Sequence, residues 1–81
     1  MKKTSFNQKL WNIDLFDEIG YDKATKKLYI FCNDGKVIEF FNIEQKDVFG
    51  LIISIDKDNL ITEFKERFPY NIHDNELTLS V

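Results

Sequence analysis

From Lys27 to Asn42 the chain reads KLYIFCNDGKVIEFFN, two runs of β-branched and aromatic residues joined by Asn33-Asp34-Gly35. Successive side chains of a strand point to opposite faces, and two such runs around a polar triplet containing Gly predict a β-hairpin. The loop decides which residues share a face. With Asp34-Gly35 as a two-residue primed turn, Cys32 faces Val37 and Tyr29 faces Phe40. With Asn33-Asp34-Gly35 as a type I turn closed by a left-handed Gly35, Ile30 faces Ile38 and Leu28 faces Phe40. Asn and Asp ahead of Gly suit the three-residue loop, because Gly takes positive φ there at little steric cost. That register puts Leu28, Ile30, Cys32, Ile38 and Phe40 on one face, and Tyr29, Phe31, Val37, Glu39 and Phe41 on the other. Both faces carry large apolar side chains, so whichever packs inward leaves the other sticky.

Ahead of the hairpin, Trp11, Ile13 and Leu15 alternate with Asn12 and Asp14 as in a half-buried strand, whereas Phe6, Leu10 and Ile13 follow a helical spacing. An irregular arm or one helical turn is expected over residues 1–15, with a strand beginning near Leu15. Phe16 to Tyr21 reads as a short strand and Asp22 to Lys27 as a polar turn. Beyond the hairpin, Asn42 is placed to cap a helix with Gln45 reaching back. Val48, Leu51, Ile52 and Ile55 then form one helical stripe. Phe49 and Ile53 widen the apolar arc, and Gly50 within it costs about 1 kcal/mol relative to Ala.

Asp56 to Asn59 interrupts the pattern, and Asp58 or Asn59 caps a second helix, Leu60 to Phe68. Its stripe is Leu60, Ile61, Phe64 and Phe68, with Glu63 and Arg67 paired on the wet side, and Pro69 ends it. A turn at His73-Asp74-Asn75 precedes Leu77, Leu79 and Val81, which alternate with Glu76, Thr78 and Ser80 as in a strand with one buried face. The expectation is an α+β domain: a small antiparallel sheet of three to four strands built on the central hairpin and packed by two short helices. Its core is 16–72, with an N-terminal arm 1–15 and a C-terminal strand 73–81.

A chain of 81 residues with 43% hydrophobic and 15% aromatic side chains makes one folded domain rather than a disordered segment. Eleven basic against 14 acidic side chains give a net charge of −3. The densest basic run is Lys23, Lys26 and Lys27, a poor footprint for a phosphate backbone. Cys32 is the single cysteine, which closes no intramolecular disulfide and fits a reducing compartment. No run approaches the ~20 apolar residues of a membrane span, and MKKTSFNQKL lacks the apolar core of a secretory leader. A cytoplasmic protein with no membrane partner is expected.

Ile19-Gly20-Tyr21-Asp22, Leu28-Tyr29-Ile30 followed by Asp34-Gly35 and Val37, Phe40-Phe41-Asn42-Ile43 leading to Val48, and Phe64-Lys65 ahead of Phe68-Pro69-Tyr70 form a familiar series. On these residues Phe16 to Ile72 resembles the KTSC domain, a small module at the C-terminus of some lysyl-tRNA synthetases that also stands alone in bacteria and phages. The family's central Tyr-x-Tyr falls on Ile38-Glu39-Phe40. Its Ser-Lys-Gly and Asn between the helices are absent, with Ile55-Asp56-Lys57 and Ile61 near those places. The resemblance implies a compact α+β module of bacterial or phage origin without an established activity, for which the synthetase context suggests RNA binding. In the family the positions of Tyr29 and Phe31 are commonly charged, which places these two rings on the solvent side.

The chain offers no catalytic constellation. His73 beside Asp74 has no evident nucleophile to serve, and Cys32 sits among apolar neighbours that do not activate a thiol. Asp56, Asp58 and Asn59 lack the Gly and bidentate Glu of a calcium loop. Asp17, Glu18 and Asp22 read as solvated strand-end acids, and three scattered glycines build no phosphate loop. No enzyme activity, cofactor or metal is expected. The stronger signal is the aromatic face. Tyr29, Phe31 and Phe41, together with Phe49 and Ile53, are candidate contacts for a protein partner or a second copy of the chain. The bland reading is that Phe6, Leu10 and Trp11 of the arm cover that face. An alternative is single-stranded RNA stacked on the rings, with Lys23, Lys26, Lys27 and Lys36 on its phosphates. By analogy with small phage modules, a third reading is an inhibitor of a host protein or an oligomeric binder of a small nucleotide.

Overall fold

The computed structural model describes residues 1–74. In chain order the elements are β1 (Lys2–Ser5), α1 (Gln8–Trp11), β2 (Phe16–Asp22), β3 (Lys27–Cys32), β4 (Lys36–Phe40), α2 (Gln45–Ile53), α3 (Lys57–Arg67) and β5 (Tyr70–Asp74). The strands form one antiparallel sheet whose spatial order, β1-β2-β3-β4-β5, is also the chain order. The α+β class holds, but among the described residues the sheet has five strands rather than three to four, and the arm contributes, beside the two expected helices, the single helical turn that was one of its two readings.

The hairpin register follows from its loop. Gly35 stands at φ +86° and its N–H donates to Cys32 O at 3.2 Å. The three-residue register results, with Ile30 opposite Ile38 and Leu28 opposite Phe40. Ile19, Leu28, Ile30, Ile38 and Phe40 face the helices and pack with Ile43, Val48, Leu51, Ile61 and Phe64 into one core. The Phe40 and Phe64 rings meet edge to face at 5.9 Å, and Phe68 repeats the geometry on Phe64 at 5.4 Å.

Several local expectations are corrected. Asn42 does not cap α2: it takes a left-handed φ of 63°, turning the chain off β4. The capping box is Glu44 with Asp47, the Asp47 carboxylate accepting from Glu44 N at 3.1 Å. The helix ends at Ile53, so Ile55 leaves the stripe and is 89% exposed. α3 starts earlier than Leu60, because the Asp56 carboxylate accepts from Asn59 N at 3.2 Å. Asp58 has another task, accepting from Asp14 N at 2.7 Å and Leu15 N at 3.3 Å, which pins the entry to β2. His73 and Asp74 lie in β5 rather than in a turn, drawn into the ladder opposite Val37 and Lys36. The expected strand of Leu77, Leu79 and Val81 lies outside the described residues.

Phe6 and Trp11 of the arm do not cover the outer hairpin face, which only the Met1 and Lys3 side chains reach. The arm's first residues become the edge strand β1, and α1 then carries it to the helix side, where Phe6 meets Phe16 edge to face at 6.0 Å. Gln8 and Asn33 fix this arrangement: Gln8 Nε2 donates to Phe16 O at 2.9 Å, and Asn33 Nδ2 donates to Asp14 O at 2.8 Å.

Candidate functional site

Antiparallel register aligns side chains across all five strands. On the face away from the helices, one row runs Lys3, Gly20, Tyr29, Glu39, Asn71 and the next Ser5, Glu18, Phe31, Val37, His73. Tyr29, Phe31 and Phe41 are half-buried here, with Phe41 just beyond β4. Lys3 Nζ lies 4.9 Å from the Phe31 ring centre and Lys27 Nζ 5.5 Å from that of Phe41, so two cations cap two rings. Met1, Asp22, Tyr29, Phe31, Val37 and His73 line a cavity of about 340 Å³ on this face. Gly20 makes room for the Met1 side chain: a Cβ at Gly20 would stand 2.9 Å from the Met1 sulfur.

The centre of the face is polar and already satisfied. Glu39 Oε1 lies 2.9 Å from His73 Nε2, while Oε2 accepts from Tyr29 Oη at 3.3 Å and meets Lys27 Nζ at 3.5 Å. Burial works to raise the Glu39 pKa, but the bond from His73, the charge and bond of Lys27 and the Tyr29 hydroxyl outweigh it and hold the carboxyl below its ordinary value. Burial, followed by the Glu39 charge and bond, pushes the Tyr29 phenol up. A carboxylate occupied by three partners and a phenol made harder to ionise are poor acid–base catalysts. Rings around a saturated polar centre are suited to recognition.

The candidate contacts divide between two surfaces. Tyr29, Phe31 and Phe41 share the open face, whereas Phe49 and Ile53 lie on α2, across the sheet, 62% and 59% exposed. Phe49 helps line a second groove of about 250 Å³ between β1 and α2, with Lys2, Thr4, Ile19, Tyr21, Val48 and Ile52 among its walls. The candidate phosphate contacts do not converge either. Lys26 bonds Glu44 at 3.3 Å, Lys27 is engaged by Glu39, Lys23 is exposed in the β2–β3 turn, and Lys36 opens β4 at the far end of the hairpin.

His73 Nε2 meets Glu39 on the neighbouring strand, a partner that sequence proximity could not indicate. Burial, then the Asp34 charge, raises the Cys32 thiol pKa, so it is not activated. Asp22 holds its own turn, accepting from Ala24 N at 3.0 Å. No group of three potential metal ligands occurs among the described residues, and none of their helices is long and apolar enough to cross a membrane.

One functional-looking residue escaped the sequence reading. Lys57 is 1% exposed, and its ammonium donates to the carbonyls of Leu51, Ile52 and Ser54 at 3.0, 2.6 and 2.7 Å. It caps the end of α2 with a positive charge, as the helix dipole favours. The Trp11 and Phe6 ring centres lie 4.2 and 5.2 Å from the same nitrogen. Burial pushes the ammonium pKa down. Its carbonyl partners lie three to six residues back in the chain, but the Phe6 and Trp11 rings that stand over it come from the distant arm, so no local pattern announces its burial.

Fold and site together define an α+β protein with a five-stranded antiparallel meander, helices on one face and aromatic rings on the other. No family model, curated protein or solved structure matches the chain.

Proposed function

We propose that the protein is a non-catalytic interaction module that self-associates, or docks on a protein partner, through the open sheet face bearing Tyr29, Phe31 and Phe41. The observation that carries this reading is the placement of the arm. Phe6 and α1 turn to the helix side, so that from the arm only the Met1 and Lys3 side chains reach this face and the three rings stay half-exposed among the described residues. Aromatic rings supply large contact area at small entropic cost. Lys3 and Lys27 alternate on the face with Glu18 and Glu39, and a surface bearing both signs around an apolar centre suits pairing with a second copy.

The KTSC resemblance belongs to this proposal. Its matching segments fall on β2, β3, β4, α2 and α3 in order, and the rings at Tyr29 and Phe31 are what would turn a solvated family face into a contact. RNA binding is less well supported, because Lys26 and Lys27 already serve carboxylates. Sedimentation velocity over a concentration series tests the reading. The native chain should associate as concentration rises, and the Tyr29→Lys, Phe31→Lys double variant should remain folded and associate more weakly at every concentration. Equal association of the two chains would overturn it.

A further inference from the structure

The groove between β1 and α2 has the features of a site that takes an extended strand. Phe6 N–H donates to Asp17 O at 2.8 Å. The alternation of an antiparallel ladder carries this pairing to Thr4 with Ile19 and Lys2 with Tyr21. The backbone N–H and C=O groups of Lys3 and Ser5 therefore point away from β2. No strand lies beyond β1 in the described sheet. Beside this row of outward donors and acceptors runs the apolar groove, walled by Ile19, Val48, Phe49 and Ile52, with Phe49 exposed at its rim. An edge with unspent hydrogen bonds next to apolar pockets is how sheet proteins bind extended peptides.

The occupant is identified by the rest of the chain. Residues 75–81, Asn-Glu-Leu-Thr-Leu-Ser-Val, alternate apolar and polar side chains. Laid beside β1, such a segment would present Leu77, Leu79 and Val81 to the groove and Glu76 to the side on which Lys3 lies. Its own subunit cannot supply it. β5, whose Asp74 is the last described residue, is the edge strand opposite β1. A position beyond β1 is five strand spacings away, about 24 Å. Seven residues span at most about 23–25 Å when fully extended, so the whole segment would be used in crossing and nothing would be left to pair. We infer that residues 75–81 of one copy add as a sixth strand to β1 of another, seating Leu77, Leu79 and Val81 against Val48, Phe49 and Ile52. This contact is separate from the open face and does not depend on it.

Amide hydrogen exchange of the full chain, followed residue by residue over a concentration series, tests the inference. Exchange at Lys3 and Ser5 should slow at least about tenfold from dilute to concentrated protein, as protection by a bound strand requires. The Leu79→Glu chain should lose that protection, and a peptide of residues 75–81 added in trans should restore it. The Tyr29→Lys, Phe31→Lys chain should keep it, which separates this contact from the open-face reading. Fast exchange at every concentration would overturn the inference. So would slow exchange independent of concentration, or protection that survives Leu79→Glu.

Discussion

The two faces of this sheet are built from the same strands, residue by residue in alternation, yet they have different fates. On one, Leu28, Ile30, Ile38 and Phe40 vanish beneath α2 and α3. On the other, Tyr29, Phe31 and Phe41 remain half-buried around a carboxylate bonded to three partners. Apolar area alone does not decide which face is the core, since both runs are rich in it. The choice is made by what the flanking segments can cover. The helices carry matching stripes, and the arm is anchored to their side by Gln8, Asn33 and Asp58. The second face is then left without a helical layer among the described residues.

Substitutions on the two faces should separate stability from association. Phe40→Ala empties a fully buried ring site between Phe64 and Tyr70, and chemical denaturation should show a loss of about 3–5 kcal/mol. Lys57→Met keeps much of the stem but removes the donor from three carbonyls, a loss of about 2–3 kcal/mol measured in the same way. Glu39→Gln should cost about 1 kcal/mol near neutrality, the scale of one partly buried polar contact. It also has a pH signature. The folded protein holds Glu39 below its ordinary pKa, so the unfolded chain binds more protons there. The carboxylate's contribution is complete above the ordinary value and fades as pH falls through the folded pKa. Urea unfolding at stepped pH should show a flatter acid limb for Glu39→Gln, whose amide does not titrate. Smallest in stability are Tyr29→Lys and Phe31→Lys, about 1 kcal/mol or less each, although these should remove the open-face part of the association.

The hairpin was legible because one residue, Gly35, decides its register locally. The helix stripes of Val48 with Leu51 and of Ile61 with Phe64 were legible for the same reason: their period is written in adjacent turns. What could not be read depends on distant partners. Lys2 to Ser5 has no strand-like apolar pattern and becomes β1 only because β2 offers a free edge. Asn42 and Asp58 both look like helix caps, but one is spent on a left-handed turn and the other on Asp14 and Leu15. Of the candidate contacts, the three rings on one face were foreseeable from strand parity. That Phe49 and Ile53 belong to a different surface required knowing which side α2 takes.

The open face is tested most directly by following the ring proton resonances of Tyr29, Phe31 and Phe41 as the native protein is diluted. These resonances should shift together with concentration, while those of Phe64, enclosed in the core, stay fixed. Rings that hold their positions across the whole series, in a chain that nonetheless associates, would show that the contact lies elsewhere.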